Sequence, residues 1–306
     1  MENIKNWAKL ARLPFYNCAI FPFILGVIMV FKIEKAFSWQ VFILAILGVF
    51  FILVATHYVG EYFDFEVDEL SAKMEKNKFS GGSQVLQTSR IAKKNVLVGG
   101  FISAGIAGLI GIFIYWFFNP GPLTIWFGIV GLLCGVLYSL PPFNWVKRGF
   151  GEIIIGFAYG WLTVATAFYL MSGKIIPLIF WVSLPIALTI FNVILINEFP
   201  DYPADKQCGK KTLVVRAGKE ISAYIYIVAT ALQWVLFFLS VIKFGVPKLA
   251  LIFYFPVFAI SSFLVYKIIG KKYKNAAQLE KICGLTIVVN LGTALAYILA
   301  FTFGSF

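Results

Sequence analysis

Nine long apolar stretches dominate this sequence and restrict what it can fold into. Each is comparable to the roughly 17–25 apolar residues with which a helix crosses the hydrocarbon core of a bilayer. A segment in lipid must satisfy its backbone hydrogen bonds internally, so these stretches are predicted to be helices. We therefore predict an all-α integral membrane bundle around a central cavity, with spans near residues 13–31, 38–60, 95–118, 122–140, 150–171, 176–199, 221–243, 249–270 and 283–304.

The distribution of basic residues orients this bundle. With nine spans, the two chain ends lie on opposite sides of the membrane. Lys and Arg are concentrated at the amino end and in the even-numbered loops, and the exceptions are Lys32, Lys35, Lys174, Lys243 and Lys248. Loops rich in Lys and Arg are retained in the cytoplasm. We predict a multi-pass protein of the cell membrane with the amino end inside, the carboxyl end outside, and lipid as its surroundings.

Two acidic runs with the same spacing close the second and sixth stretches. The first is Glu61, Asp64 and Asp68, and the second is Glu198, Asp201 and Asp205. Offsets of zero, three and seven place three carboxylates on one face of a helix. Near a membrane such charges are costly to desolvate, so a shared cation would explain them. Oxygen ligands without a His or Cys cluster favour Mg²⁺ that is completed by substrate phosphates.

A single run of this kind is typical of a solvated helix end. Two copies at matching positions, both in cytoplasmic loops, favour a joint metal site that handles a diphosphate. The four-span offset between them also suggests a single membrane domain built from two related halves, about 1–140 and 141–306.

Two prolines distinguish the second run. Pro200 and Pro203 interrupt it, and proline in a helix interior removes a hydrogen bond and disfavours helix at the preceding residue. We therefore expect this helix to end near Phe199, with Asp201 and Asp205 presented on a turn.

Basic residues follow both runs and suit phosphate oxygens that the metal leaves free. They are Lys73, Lys76 and Lys78 after the first run and Lys206, Lys210, Lys211 and Arg216 after the second. Retention of a loop in the cytoplasm would equally explain any one of them. The only histidine, His57, lies one turn before Glu61 on the same helical face. It is expected to be packed or hydrogen-bonded, with indirect support of the metal site as the alternative.

The two acidic motifs in full resemble those of the UbiA superfamily of membrane prenyltransferases. Members of that family carry N-D-x2-D-x3-D and D-x3-D motifs on cytoplasmic caps. The corresponding segments here are GEYFDFEVD at 60–68 and NEFPDYPAD at 197–205. Gly60 and Glu61 replace the family's asparagine and first aspartate. The segments SGGSQVL at 80–86 and RGFGE at 148–152 are similar to menaquinone-forming members.

This resemblance implies Mg²⁺-dependent transfer of a polyprenyl group from an isoprenyl diphosphate to a small aromatic acceptor, such as 1,4-dihydroxy-2-naphthoate or another quinone precursor. The reaction would pass through an allylic carbocation in a cavity that opens to lipid. Neither nucleic acid nor an obligate protein partner is expected.

The resemblance also assigns candidate site residues. Asp64, Asp68, Asp201 and Asp205 are expected to be catalytic and to bind two Mg²⁺ ions, with Glu61, Asn197 and Glu198 as further metal ligands. Tyr138 is expected beside the carbocation. Substrate contacts are expected from Arg12, Lys73, Lys78, Gln84, Tyr138, Lys147, Lys206 and Lys211.

Two alternatives remain open at the level of sequence. Another prenyl acceptor, such as a glyceryl phosphate or a tetrapyrrole, is compatible with the same motifs. Outside enzymes, a cation-coupled transporter would use paired acids as an ion site. Transporters commonly bind their coupling ions near the bilayer midplane on broken helices, whereas these acids lie at span ends.

Overall fold

The computed structural model describes residues 2–74, 77–79, 81–89 and 91–305, and every regular element in these ranges is helical. Lys76 and Ser80, which belong to motifs noted above, lie outside the described residues. The helices are α1 (Glu2–Leu10), α2 (Asn17–Ile33), α3 (Trp39–Phe63), α4 (Phe65–Ala72), α5 (Val85–Thr88), α6 (Lys93–Phe118), α7 (Leu123–Val136), α8 (Gly151–Phe157), α9 (Thr163–Ser172), α10 (Pro177–Gln207), α11 (Leu213–Ala217), α12 (Lys219–Lys243), α13 (Ala250–Ile269) and α14 (Ala276–Phe303).

Eight helical segments of the described chain are long and apolar enough to cross a membrane. They are Asn3–Ile33, Trp39–Phe63, Lys93–Phe118, Gly151–Ser172, Pro177–Gln207, Lys219–Lys243, Ala250–Ile269 and Ala276–Phe303. The remaining predicted span is the shorter apolar helix α7, which has 14 residues and is therefore about 21 Å long. The predicted all-α membrane bundle is confirmed, with one helix shorter than expected.

Helix α10 lies at the centre of the second part of the bundle, where it packs against α2, α8, α12 and α14. In its most apolar segment, 61% of the residues are buried inside the protein, against 22% in α6. Phe199 of α10, Phe237 of α12 and Tyr297 of α14 are fully buried. Lipid tails are as apolar as these side chains, so close packing rather than transfer from water stabilises such contacts.

The prediction that this helix ends near Phe199 is wrong. Helix α10 continues through Pro200 and Pro203 for about two further turns and ends at Gln207. Asp201 and Asp205 therefore remain on a helix, and the face predicted from their spacing is retained.

A neighbouring helix provides the hydrogen bond that the first of these prolines removes. Pro200 has no N–H to donate to the carbonyl of Ile196, four residues earlier. Instead, the Cys283 thiol of α14 donates to that oxygen at 3.6 Å. Because carbonyl groups freed by proline in membrane helices are satisfied in this way by adjacent helices, the helix can continue.

Candidate active site

The two acidic runs lie in one cavity of about 200 Å³. Asp64 caps the end of α3 and Asp68 lies in α4, whereas Asp201 and Asp205 lie in α10. A direct bond joins the two sides, since the Ser71 hydroxyl of α4 donates to Oδ1 of Asp201 at 2.8 Å. The fold thus brings together carboxylates that are far apart in the chain.

Two carboxylate oxygens of the first run have no hydrogen-bond partner. They are Oδ1 of Asp64 and Oδ2 of Asp68, and both are buried. A buried polar atom left unpaired costs about 1–3 kcal/mol, so a cation would relieve both. As they stand, no three acidic, His or Cys side chains of the described residues form a ready-made ion site. Hard oxygen donors that leave positions for other ligands fit Mg²⁺ completed by phosphate oxygens.

Lys210 lies among these carboxylates. Its Nζ is 3.4 Å from Oδ2 of Asp64 and 3.9 Å from Oδ1 of Asp205, and its side chain is only 12% exposed. Burial by itself lowers the pKa of Lys210, but its charged neighbours, of which Asp64 and Asp205 act most strongly, together outweigh burial and the net pKa is raised. The ammonium therefore stays charged and neutralises part of the cluster.

Asp68 is confined by a glycine turn. Gly82 has φ +70°, and a Cβ at this position would overlap the Asp68 carboxylate. Glycine is thus required for both the conformation and the close approach. Burial raises the pKa of Asp68, Arg12 opposes the rise, and Asp64 and Glu61 add to it. A carboxylate crowded by like charges in a buried position gains from a bound cation.

Glu61 is fully engaged by neighbouring side chains. Arg12 donates from Nε to its Oε1 at 2.9 Å, and Nη2 of Arg12 is 2.7 Å from the same oxygen. Ser83 donates from its backbone N–H to Oε1 and from its hydroxyl to Oε2. The predicted metal ligand Glu61 is therefore placed as a clamp that fixes Arg12 and the loop beyond α4.

Arg12 reaches this clamp from an interruption in the first span. Its backbone is left-handed, with φ 51° and ψ 43°, and a short helical turn beginning at Leu13 follows it. A non-glycine residue in this region carries roughly 1–2 kcal/mol of strain. Nη2 also lies 4.0 Å from Oδ2 of Asp68, so the strained segment places a guanidinium at the edge of the acidic cavity.

The residues just before α5 contact the second run. The backbone N–H of Gly81 donates to Oδ2 of Asp201 at 3.2 Å. Gln84 bonds through its amide nitrogen to the carbonyls of Asp68 and Gly81. The predicted substrate ligand Gln84 thus holds the loop against α4 in this structure.

Glu198, the first acid of the second run, lines the cavity together with Asn197. Glu198 lies close to a second buried acid, Glu152. Backbone N–H groups at the start of α11 donate to both, from Leu213 to Glu152 at 3.0 Å and from Val214 to Glu198 at 3.5 Å. Glu198 therefore anchors the α10–α11 loop, and one of its oxygens is left unpaired.

Tyr138 and Lys147 approach the cavity from the segment after α7. Tyr138 lines the cavity, and a Cβ on Gly151 would lie only 3.0 Å from its ring. Lys147 is half-buried and acts electrostatically on Asp205. Both side chains are thus placed near the carboxylates.

Like Lys147, four other predicted lysines do not line the cavity. Lys73 pairs with Glu69, and Lys78 pairs with Glu280 of α14, each at 3.2 Å. Lys206 and Lys211 are exposed. Contacts from these four lysines to a substrate stay predictions. The lysine that does line the cavity is Lys210.

A second cavity, of about 120 Å³, lies between α3, α6, α7 and α9. Its wall includes five glycines, namely Gly48, Gly111, Gly128, Gly131 and Gly135. It shares Thr56, Ile155 and Tyr159 with the acidic cavity. A largely apolar space therefore adjoins the carboxylates.

Sequence reasoning did not single out Lys210, Gly82 or Glu152. Lys210 appeared only as one of several loop cations, and nothing in its residue type separates it from Lys211. The Gly81-Gly82 pair signals a turn, but only the fold shows that Asp68 lies against it. Glu152 is the last residue of the segment 148–152, which was noted only for its similarity to family members, and its neighbour Glu198 is distant in sequence.

Residues 19–303 match the UbiA prenyltransferase family, and the chain belongs to that family. It is accordingly a prenyltransferase of the membrane, and the transporter alternative is set aside. The resemblance noted in the sequence is confirmed.

Among characterised relatives, the chain is 26% identical over 274 residues to 1,4-dihydroxy-2-naphthoate octaprenyltransferase of Bacillus subtilis, covering 84% of this chain and 81% of that one. It is 22% identical over 223 residues to 2-carboxy-1,4-naphthoquinone phytyltransferase of Synechocystis, covering 72% and 69%. These relatives agree with the predicted similarity to menaquinone-forming members.

The fold is shared with a solved UbiA homologue from Archaeoglobus fulgidus bound to GPP and Mg²⁺. The TM-score is 0.66 at 15% identity, covering 96% of this chain and 99% of that one. At this identity the likeness establishes the common fold.

Proposed function

We propose that this protein transfers a polyprenyl group from an isoprenyl diphosphate to a small aromatic acceptor of the 1,4-dihydroxy-2-naphthoate type. The observation that carries the proposal is an acidic cavity that adjoins an apolar one through Thr56, Ile155 and Tyr159. A molecule with a charged head and a long apolar tail suits such a pair. The dihydroxynaphthoate relative, similar over most of the chain, supports the choice of acceptor.

The diphosphate head would be bound beside the acidic runs. Asp64, Asp68, Asp201 and Asp205 would hold Mg²⁺, and we propose two ions. When bound, Mg²⁺ neutralises the diphosphate and stabilises charge that develops on the leaving group. Lys210 stays charged and lies within reach of the same region, so it can donate to a diphosphate oxygen.

The apolar walls keep water from the reacting carbon. The allylic C–O bond breaks with its electron pair on the diphosphate, and a ring carbon of the acceptor supplies the pair for the new C–C bond. That ring carbon then releases the substituent it carried, a proton or a carboxyl group as carbon dioxide, and the electron pair of the broken bond restores the aromatic ring. Tyr138 presents an aromatic ring at the cavity wall, where its face can stabilise the allylic cation. The prenyl tail would extend into the glycine-lined cavity.

We further propose that the site faces the cytoplasm of the cell membrane, with the amino end inside. The charge distribution supports this orientation, because Lys and Arg cluster in the loops that flank both acidic runs. The second helical half, like the first, contributes one acidic run to the site, in agreement with a single membrane domain.

Product analysis with purified protein in lipid nanodiscs tests the function. The protein is incubated with prenyl diphosphates of several lengths and with dihydroxynaphthoate, 4-hydroxybenzoate or glycerol phosphate. We expect prenylated naphthoate product and pyrophosphate release with Mg²⁺, and neither with EDTA. Transfer only to glycerol phosphate would overturn the acceptor, and transfer in EDTA would overturn the metal.

A further inference from the structure

Two polar atoms in the wall of the acidic cavity lack partners and do not belong to carboxylates. They are Nε2 of His57 and Oδ1 of Asn197, both buried. Buried polar atoms in folded proteins are nearly always hydrogen-bonded, and an exception needs an explanation such as a missing ligand. Asn197 adjoins the metal-binding run, whereas His57 lies apart from it.

The orientation of the His57 ring is fixed by packing. It is stacked on the ring of Tyr16, with centroids 5.7 Å apart and an angle of 11°. Tyr16 is itself 3% exposed and packs edge-on against Phe50. The imidazole is thus held with Nε2 in the cavity wall, and a ligand would bind it without a large ordering cost.

His57 precedes Glu61 by four residues, so it lies about 6 Å farther from the end of α3 that carries the acidic run. The charged groups that suit a diphosphate are at the Glu61 end of this helix. The wall of the same cavity also includes the apolar residues Phe15, Cys18, Ile190, Val193 and Ile194. A neutral hydrogen-bonding group in an apolar wall fits a flat ring that carries a hydroxyl.

We propose that His57 is a substrate-binding residue whose Nε2 hydrogen-bonds to one ring hydroxyl of the aromatic acceptor. An imidazole nitrogen can either donate to or accept from a hydroxyl. This contact would orient the ring with its reacting carbon toward the allylic carbon of the prenyl group. The proposal rests on the proposed function and names the polar anchor of its second substrate.

Steady-state kinetics of His57→Phe test the contact. Phenylalanine keeps a flat ring against Tyr16 and removes the hydrogen bond. We expect the KM of dihydroxynaphthoate to rise about tenfold, while the KM of the prenyl diphosphate stays within about twofold. His57→Asn, which retains a hydrogen-bonding group, should recover part of the loss. Ser103→Ala removes a buried polar group outside both cavities and serves as the control.

Analogues of the acceptor identify the hydroxyl involved. Naphthoates that lack the 1- or the 4-hydroxyl are used as competitive inhibitors against wild type and His57→Phe. The analogue without the bonded hydroxyl should bind both proteins equally, because either change alone removes the same contact. Additive losses with both analogues would overturn the proposal.

The outcomes separate this proposal from the proposed function. A wild-type protein that prenylates no aromatic acceptor would refute the proposed function. An active wild type with an unchanged KM for the acceptor in His57→Phe would refute only the role of His57. An equal rise in the KM of the prenyl diphosphate would refute it as well, since the residue would then support the diphosphate site.

Discussion

Nζ of Lys210 lies 3.4 Å from Oδ2 of Asp64, which joins the loop after α10 to the end of α3. The same ammonium is 3.9 Å from Asp205. One protein cation is therefore shared by the two acidic runs, and it lies where the diphosphate head of the substrate is proposed to bind.

Replacing Lys210 by Met should lower kcat by about 10–100-fold, since a charge-assisted hydrogen bond of roughly 1.5–3 kcal/mol would be lost as the leaving group gains charge. Steady-state kinetics with saturating Mg²⁺ measure this. Lys272→Met, which removes an exposed lysine between α13 and α14, is the control. Equal losses in the two variants would mean that only the overall positive charge of the protein matters. Smaller effects are expected from Lys73→Met and Lys78→Met.

Asp64→Asn should reduce turnover by roughly 10²–10³-fold because a metal-binding carboxylate is lost where charge develops. The protein should remain folded, because loss of the Asp64 charge reduces its repulsion with the neighbouring carboxylates. Mn²⁺ binding followed by electron paramagnetic resonance should weaken in parallel. Glu66→Gln, an exposed acid in α4, should leave both activity and ion binding unchanged. Normal Mn²⁺ affinity in Asp64→Asn would contradict the metal assignment.

Gly82→Ala should abolish most activity, because the added methyl overlaps the Asp68 carboxylate. Gly209→Ala is the matched control, since Gly209 has nearly the same positive φ, +69°, but no atom within 4 Å of the added Cβ. Both substitutions should cost roughly 1–2 kcal/mol of backbone strain. Thermal unfolding measures the loss of stability that the two variants share. Steady-state kinetics measures the difference in activity between them. Similar activity in the two would show that Asp68 tolerates displacement.

Gly128→Val should impair use of long prenyl diphosphates more than short ones. Gly128 lines the apolar cavity and has open space around its added Cβ, so valine would fill part of the proposed path for the tail. Gly108→Val is the control, because Gly108 also has open space but does not line this cavity. Activity is measured with prenyl diphosphates of increasing chain length. If it depends on chain length in the same way in both variants, the prenyl tail does not bind in this cavity.

Cys208 should react with a membrane-impermeant thiol reagent only from the cytoplasmic side. It is exposed, whereas Cys18, Cys134 and Cys283 are buried. Cys208→Ser should abolish labelling, and Ser305→Cys in that background should be labelled only from outside. Only α12, α13 and α14 lie between these two positions as candidate spans, so labelling of both from one side would mean that these three helices do not all cross the membrane.

The spans were predictable from sequence because apolarity over a whole helix length has no other stable outcome in lipid. The continuation of α10 was not, since the partner that satisfies Ile196 comes from Cys283 in a helix far along the chain. Rules based on neighbouring residues predict a helix end at the proline, because they do not include a hydrogen bond from a distant helix.

The acidic cluster was predictable from repeated spacing, but the basic contacts were not. Carboxylates at two matched helix ends predict a shared cation, because the cost of burying several like charges has to be offset. A lysine is long and flexible, so its destination depends on the tertiary fold. Lys78 pairs with Glu280, while Lys210 enters the cavity, and no feature of the flanking residues separates them.

The bond from Ser71 to Asp201 links an early helix to one made much later in synthesis. Helices inserted one by one in the bilayer would possess every carboxylate and still lack a site until α10 docks beside α4. An ion that binds only the docked arrangement stabilises that arrangement by mass action. Mg²⁺ would then stabilise the packed helices at a late stage of assembly. Chelation would weaken the association of α4 with α10 as well as stop turnover.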